Sequence, residues 1–398
     1  MFSFSAPPPL TLYIHLPWCV QKCPYCDFNS HALGNKAGAQ AYPPEARYID
    51  ALLADLEQDL PRIWGRKIHS VFIGGGTPSL FSPQAIARLL SEVHARLPLL
   101  PTTEITLEAN PGTVEAEHFD GYREAGINRL SLGIQSFETS MLMSLGRIHN
   151  AEEALRAAHA ARAAGFDNLN LDLMYALPQQ SIESALDDVD IAIAMQPAHL
   201  SIYQLTIEPN TLFHSAPPLH LPDEDIVATM QDAILARVTA AGYLHYEVSA
   251  YARPERECRH NLNYWQFGDY LGIGAGAHAK ISQADGITRL WKVKQPEEYM
   301  RKSPTPAVLG GERQLSPAEA AFEFMLNGLR LQRGITDKLF TQRTGLPVSL
   351  IEGPLQAAAD RGLVRREGGM ILPTALGRRF LNDLIAMFLP PVDETEGT

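Results

Sequence analysis

The sequence predicts an α/β protein: a mostly parallel sheet of strand–helix units, then an irregular α+β segment, then a small helical module that carries a hairpin. Three observations predict it. Short apolar runs alternate with amphipathic helical stretches six times within residues 1–241. Over 242–294 that alternation stops, and aromatic residues and glycines take over. From 315 onward helical periodicity returns, with no intervening strand until the 360s.

Each unit follows from local residues. Residues 10–16 form a short apolar strand. Helix 43–60 carries Tyr48, Leu52, Leu53, Leu56 and Leu60 at helical spacing, and Pro44 is placed to open it. Between them, 30–41 is rich in Gly, Ala and Asn and reads as an irregular connection. The buried strand 70–73 runs into Gly74-Gly75-Gly76-Thr77-Pro78, and Ser82 caps a helix to Ala95. Strand 104–109 precedes helix 114–125, 129–134 precedes 151–164, 168–174 precedes 181–194, and 199–205 precedes 223–241. Strands alternating with helices imply parallel pairing through right-handed crossovers. Six such units fall short of the eight of a closed barrel.

The remainder is less regular. Residues 243–251 can supply a strand, 255–270 are aromatic and polar, and 271–279 read as a glycine-rich turn. The stretch 295–314 carries Pro296, Pro304, Pro306, Gly310 and Gly311 and reads as a linker. Ser316 caps a helix to Leu331, and further helices follow at 335–343 and 347–361. A hairpin turns at Glu367-Gly368-Gly369, and a final helix spans 374–388. Helices followed by a two-stranded wing predict a winged-helix-like domain over 315–398.

Composition bounds the function. The 398 residues are 45% hydrophobic and 20% charged, as in an ordinary globular protein with ample core. A net charge of -12 argues against a broad nucleic-acid surface, so the wing reads as a packing or partner-binding element. No run approaches the ~18 apolar residues of a membrane span. The first residues have neither a basic nor an apolar signal region, and four cysteines form no even disulfide framework. Both features predict a reducing cytoplasm.

The chemistry centres on Cys19-Val20-Gln21-Lys22-Cys23-Pro24-Tyr25-Cys26, just after the first strand. Zinc prefers four tetrahedral ligands, typically from two separated C-x2-C pairs, and there is no second pair. A [4Fe-4S] cubane usually takes four thiolates; three would leave one iron open to a ligand. A disulfide with a spare thiol, or a partial zinc site, is the plainer alternative. The run resembles the signature of the radical S-adenosylmethionine (SAM) superfamily. There, SAM chelates the open iron and is cleaved to a 5'-deoxyadenosyl radical. The resemblance implies a partial (β/α)6 barrel, with its chemistry at the carboxyl ends of the strands.

Within the superfamily the chain is similar to the coproporphyrinogen oxidase-like group, over nearly its whole length. That resemblance assigns SAM contacts to Tyr13, Tyr25, Gly75, Gly76, Thr77 and Glu108, the last in Leu107-Glu108-Ala109-Asn110-Pro111. Gln135, Arg147 and Asp172 match residues that hold a second SAM in decarboxylating relatives. A guanidinium suits a carboxylate and carboxylates suit ribose hydroxyls; a solvated rim for Glu108 and Asp172, and a surface charge for Arg147, are the plain readings. Gly272–His278 resembles a stretch that closes over SAM, although His278 differs from the oxidases in residue type.

Two features point within the group. Phe28 stands where the oxidases have a fourth cysteine of the loop. His260-Asn261-Leu262-Asn263-Tyr264-Trp265 matches the H-N-x-x-Y-W motif of the heme-chaperone branch. Imidazole is a common heme-iron ligand, and Tyr264 and Trp265 offer flat apolar faces; a core histidine with an aromatic pair is the structural alternative. Cys258 reads as an inert thiol or an auxiliary ligand.

The resemblance therefore implies a [4Fe-4S] cluster on Cys19, Cys23 and Cys26, with SAM and heme as further cofactors. Its expected partners are a heme donor, heme-recipient proteins and an electron donor. It implies no nucleic acid and no integral membrane segment, though a recipient in a membrane is compatible with it. The other reading from the same group is oxygen-independent decarboxylation of coproporphyrinogen III.

Overall fold

The computed structural model describes residues 1–33, 42–112 and 117–390. Six strands, β1 (Leu10–Leu16), β2 (Ile68–Gly75), β3 (Leu99–Ala109), β4 (Arg129–Gln135), β5 (Leu169–Tyr175) and β6 (His199–Gln204), pair in parallel in that order. Their alternation sorts the side chains. In β1, Leu10, Leu12, Ile14 and Leu16 join the main apolar core with Leu52 and Leu56 of the helix Glu45–Asp59. The intervening Thr11, Tyr13 and His15 meet polar partners: Asn263, His15 and the Asn29 carbonyl. The result is an open, partial (β/α)6 barrel with a polar interior.

Helix starts follow the capping residues. Ser82 Oγ accepts from Ala85 N at 3.2 Å, and Asn150 with Glu153 forms a reciprocal capping box. Ser316 and Glu319 make a second box at the start of the helix Pro317–Gly328. The predicted helix 114–125 is described only from 117, with its helix at Phe119–Glu124; 113–116 lie outside the described residues, as do 34–41 of the expected connection.

The sheet extends beyond six strands at both edges. At the β6 edge, β7 (Leu244–Glu247) and β8 (Ala250–Ala252) form an antiparallel hairpin. At the β1 edge, β9 (Asp269–Ile273) pairs in parallel with β1. Then β10 (His278–Gln283), β11 (Gly286–Lys292) and β12 (Leu309–Gln314) continue antiparallel. The full order is β12-β11-β10-β9-β1-β2-β3-β4-β5-β6-β8-β7.

Three expectations are corrected here. The glycine-rich turn expected over 271–279 is confined to 274–277, with 271–273 ending β9 and 278–279 beginning β10. The linker over 295–314 is a helix, Pro296–Lys302, followed by edge strand β12. Its glycines serve packing: a Cβ on Gly311 would fall 2.2 Å from the Trp291 ring. The last helix is two, Ala375–Arg379 and Leu381–Ala386, broken at Phe380.

Residues 242–294 therefore do two jobs. The helix Arg259–Trp265 packs on β1 and β2 near their amino ends, and the rest widens the sheet. A second apolar core gathers Phe324, Phe340, Leu355, Ile371 and Leu384 of the C-terminal part around Phe267 and Ile287. Trp265 and Leu262 pack against it, so the C-terminal part sits on the 259–265 helix.

Candidate cofactor site

After β1 the chain makes a loop closed by its own ends. Trp18–Cys19 pairs in parallel with His31–Ala32, and Leu33 N donates to Cys19 O at 2.8 Å. Within the loop, Cys26 N donates to Cys23 O at 3.2 Å, a tight turn that brings two thiols together. Asn29 fastens the loop to the barrel: its Nδ2 donates to Ala275 O and Lys294 O, both at 2.9 Å. His15 Nε2 lies 2.9 Å from Asn29 O, and His15 Nδ1 lies 3.0 Å from Tyr13 OH. The 272–278 stretch thus braces the cysteine loop from outside the cavity.

Cys19, Cys23 and Cys26 are free, half-buried thiols lining one cavity of about 370 Å³ at the carboxyl ends of the strands. Burial pushes the Cys19 and Cys26 thiols up, which a soft Lewis acid would offset. Among the described residues, no three His, Cys, Asp or Glu side chains converge tightly enough for a single metal ion. Thiolates that address separate irons of a cubane do not need to. The donor set, three soft ligands around an open cavity, fits a [4Fe-4S] cluster better than zinc or a disulfide.

The cavity also gathers Tyr25, Gly75, Gly76, Thr77, Glu108, Gln135, Arg147 and Asp172. Tyr25 comes from the cysteine loop; Gly75, Gly76, Thr77, Glu108 and Gln135 stand at or just after the ends of β2, β3 and β4; Asp172 lies mid-strand in β5, and Arg147 follows the helix Thr139–Ser144. The glycines pack closely on protein as well as lining the space. Gly75 has φ +122°, and a Cβ there would lie 2.6 Å from the His15 ring; one on Gly76 would lie 2.5 Å from Trp18 O. Gly75 N donates to Glu108 Oε2 at 3.1 Å. Burial pushes the Glu108 carboxyl up to about 7, with the nearby Asp172 carboxylate adding to the rise. Glu108 and Asp172 are half-buried in the cavity wall.

Arg147 is a half-buried cation in the same wall. Its Nη2 donates to Asn110 Oδ1 at 2.7 Å and Gly133 O at 2.9 Å, while Nη1 lies 3.7 Å from Cys23 Sγ. Its Nε is buried with no partner within the protein, the kind of orphan donor a bound anionic group would satisfy. Asn110 Nδ2 in turn donates to Thr77 Oγ1 at 2.9 Å. Gln135 holds the left-handed φ of 70°. The turn after it is fixed by Asp188, which accepts from Ser136 Oγ and Phe137 N.

Six residues singled out from the sequence stand outside the cavity. Tyr13 does not line the cavity; its ring lies between Phe72, at 6.2 Å, and His260, at 6.3 Å. His260 is 8% exposed, with Nδ1 3.3 Å from Ser70 Oγ and its ring 5.1 Å from Phe72. Tyr264 and Trp265 meet edge-to-face, and Arg330 stacks on Trp265 at 4.2 Å. The structure thus does not bring His260, Tyr264 and Trp265 around one open face. His278 is exposed at the start of β10, beside Trp291. Cys258 is fully buried against Glu104. Conversely, Asn110, Ser131 and Tyr203 line the cavity unforeseen. Asn110 follows Ala109 in the quoted motif, so a polar residue at a strand end was its available signal.

Known proteins settle the family. The radical SAM superfamily model matches residues 13–192, and the HemN C-terminal domain model matches 315–380. The chain is 49% identical over 383 residues to "Heme chaperone HemW" of Escherichia coli K12, covering 96% of this chain and 98% of that one. The chain belongs to the HemW family. Another HemW protein, from Haemophilus influenzae, is also 49% identical over 96% of this chain, and one from Mycobacterium tuberculosis is 37% identical over 94%. The solved coproporphyrinogen III oxidase HemN of E. coli superposes with a TM-score of 0.79 at 23% identity, covering 96% of this chain and 90% of that one. That likeness shows the fold. As a HemW-family radical SAM protein, the chain is expected to carry an iron–sulfur cluster and SAM, and the cavity supplies residues suited to both.

Proposed function

We propose that this chain is a heme chaperone: it holds a SAM-coordinating [4Fe-4S] cluster, binds heme and passes it to recipient proteins. The observation that carries the reading is near-full-length identity at 49% to a protein named for that role. Phe28 supports it. It is 63% exposed beside the cysteine loop, an apolar side chain where the decarboxylating relatives carry a fourth thiol.

Cys19, Cys23 and Cys26 would hold the cluster, which supplies an open iron and a reducing electron when bound. Around it, Arg147 offers a guanidinium fork, Glu108 and Asp172 offer acceptors, and Gly75 and Gly76 close the wall. For heme we retain the segment His260, Tyr264 and Trp265. Burial pushes the His260 imidazole down to about 3, so it is neutral and able to ligate iron. It would do so only after the 259–265 helix turns it away from Ser70 and Phe72. Cys258, held against Glu104, stays an inert thiol in this reading.

A heme donor, an electron donor and heme-recipient proteins are the proposed partners, and the cytoplasm the proposed location. No helix among the described residues is long and apolar enough to cross a membrane. Anaerobic heme titration of the reconstituted protein, run beside a coproporphyrinogen III conversion assay, tests the proposal.

A further inference from the structure

A chain of buried hydrogen bonds runs through the barrel interior from the cavity to the N-cap of the 259–265 helix. Asp172 accepts from Ser131 Oγ at 3.0 Å and from Asn170 Nδ2 at 2.9 Å. Asn170 Nδ2 also donates to Ser131 Oγ at 2.7 Å. Asn170 Oδ1 lies 2.6 Å from His199 Nδ1 and accepts from Ser201 Oγ at 3.0 Å. His199 Nε2 lies 2.8 Å from Tyr246 OH, and Tyr246 OH accepts from Cys258 N at 3.4 Å. Asn170, His199, Tyr246 and Cys258 are all buried.

The inventory of donors fixes the direction of every link. Asn170 Oδ1 accepts from Ser201 Oγ, so its amide nitrogen is the atom that faces Asp172 and Ser131. Asn170 Oδ1 then faces His199 and needs a donor, which places the proton on His199 Nδ1. Burial pushes the His199 imidazole well below its ordinary range, so the ring is neutral and Nε2 is left as an acceptor. Tyr246 must therefore donate its O–H to Nε2, and its oxygen is free to take the Cys258 N–H. All the donors point one way, toward a carboxylate at the cavity wall. Aligned bonds of this kind polarise one another in a low-dielectric interior.

We infer that Asn170, His199 and Tyr246 are positioning residues that hold Asp172 oriented for SAM, although neither His199 nor Tyr246 reaches the cavity. The inference rests on the reading of the cavity as the SAM site. It gives a role to three buried polar residues that the cluster, the glycines and Arg147 do not require. It also ties the cavity to Cys258, the residue that opens the helix carrying His260.

The test is a double-mutant cycle on full-length, anaerobically reconstituted protein, titrated with SAM and followed by the cluster EPR signal. The proteins are wild type, Tyr246→Phe, Asp172→Asn and the double variant. Tyr246→Phe keeps the ring and removes one hydroxyl. It is expected to weaken SAM binding about threefold to tenfold, the scale of one neutral buried hydrogen bond, with iron content and circular dichroism unchanged. In the Asp172→Asn background the same change is expected to cost less than about twofold, because its effect passes through Asp172. A purely structural tyrosine would give equal effects in both backgrounds. Independently of any variant, SAM is expected to slow amide exchange at Cys258, by reciprocity of coupling. Wild-type SAM affinity in Tyr246→Phe, or full additivity in the cycle, would overturn the inference. So would Cys258 exchange indifferent to SAM. A wild type with no SAM response at all would remove the cavity reading, and this inference with it.

Discussion

Arg147 Nη1 stands 3.7 Å from Cys23 Sγ, while Nη2 of the same guanidinium grips Asn110 Oδ1 at 2.7 Å. One half-buried cation therefore links the cysteine loop to the end of β3. Burial would discourage this charge, but Tyr25 and Cys23 beside it hold the guanidinium pKa up. The arrangement places a fixed positive fork at the cavity wall, with one donor, Nε, still unused.

From that geometry, Arg147→Ala should weaken SAM binding by about tenfold to a hundredfold, the range for losing charge-assisted hydrogen bonds. Iron content after reconstitution should stay at the wild-type level. Arg147→Lys keeps the charge but not the fork, and should fall between the two. SAM titration followed by EPR reads all three proteins; an alanine variant with wild-type affinity would take Arg147 out of the site.

Gly75 pays for the close approach of β2 to His15. A Gly75→Ala side chain would meet the His15 ring at 2.6 Å and sit at φ +122°, at a cost of about 1–3 kcal/mol. His15 also holds the Asn29 carbonyl, so the cysteine loop should shift with it. We expect a lowered urea midpoint and fewer irons bound per chain. Unchanged stability and full iron loading would show that the glycine is not needed for packing.

The Glu108 carboxyl, pushed up to about 7 from an ordinary 4.5, makes a pH-dependent contribution to stability. Between those two values the folded chain holds a proton that the unfolded chain has released. The contribution is thus full below pH 4.5, declines as pH rises toward 7, and is flat above it. Glu108→Gln should remove this dependence. The cluster-free variant should gain on the wild type between pH 5 and 7.5, by up to about 2–3 kcal/mol. Urea denaturation at the two pH values measures it, and a stability difference independent of pH would refute the assignment.

For the 259–265 helix, His260→Ala should lower heme affinity or alter the Soret band, whereas Trp265→Ala should weaken binding through lost packing with the ligation spectrum retained. Because wild-type His260 is enclosed by Ser70, Phe72 and Tyr13, heme binding should also increase hydrogen exchange over β2. Heme binding unaffected by both substitutions would move the site elsewhere.

How much of this was legible in the sequence differs by kind of signal. The barrel units were readable because β-strand apolar runs and helical periodicity are local, and caps such as Ser82 and Ser316 mark their helices directly. Glu108 and Gln135 were readable because motif and strand end coincide, whereas Asp172 lies mid-strand in β5 and was readable from its motif alone. What failed was non-local. Pro296, Gly310 and Gly311 looked like linker residues, yet the proline opens a helix and the glycines pass under Trp291, a neighbour supplied by strand pairing. Likewise, nothing in the spacing of His260, Tyr264 and Trp265 tells that the helix turns His260 inward against Phe72.

The central claim is that this chain carries heme and does not transform a tetrapyrrole, and one paired measurement addresses it. Anaerobically reconstituted protein, reduced and supplied with SAM, is titrated with heme in one arm and incubated with coproporphyrinogen III in the other. The account predicts stoichiometric heme binding, seen as a saturating Soret band, and no vinyl product. Variants lacking Cys19, Cys23 and Cys26 should bind heme equally well, since the cysteine loop and the 259–265 helix are separate stretches of chain. Conversion of coproporphyrinogen III to vinyl products by the wild type, or failure to bind heme, would contradict it.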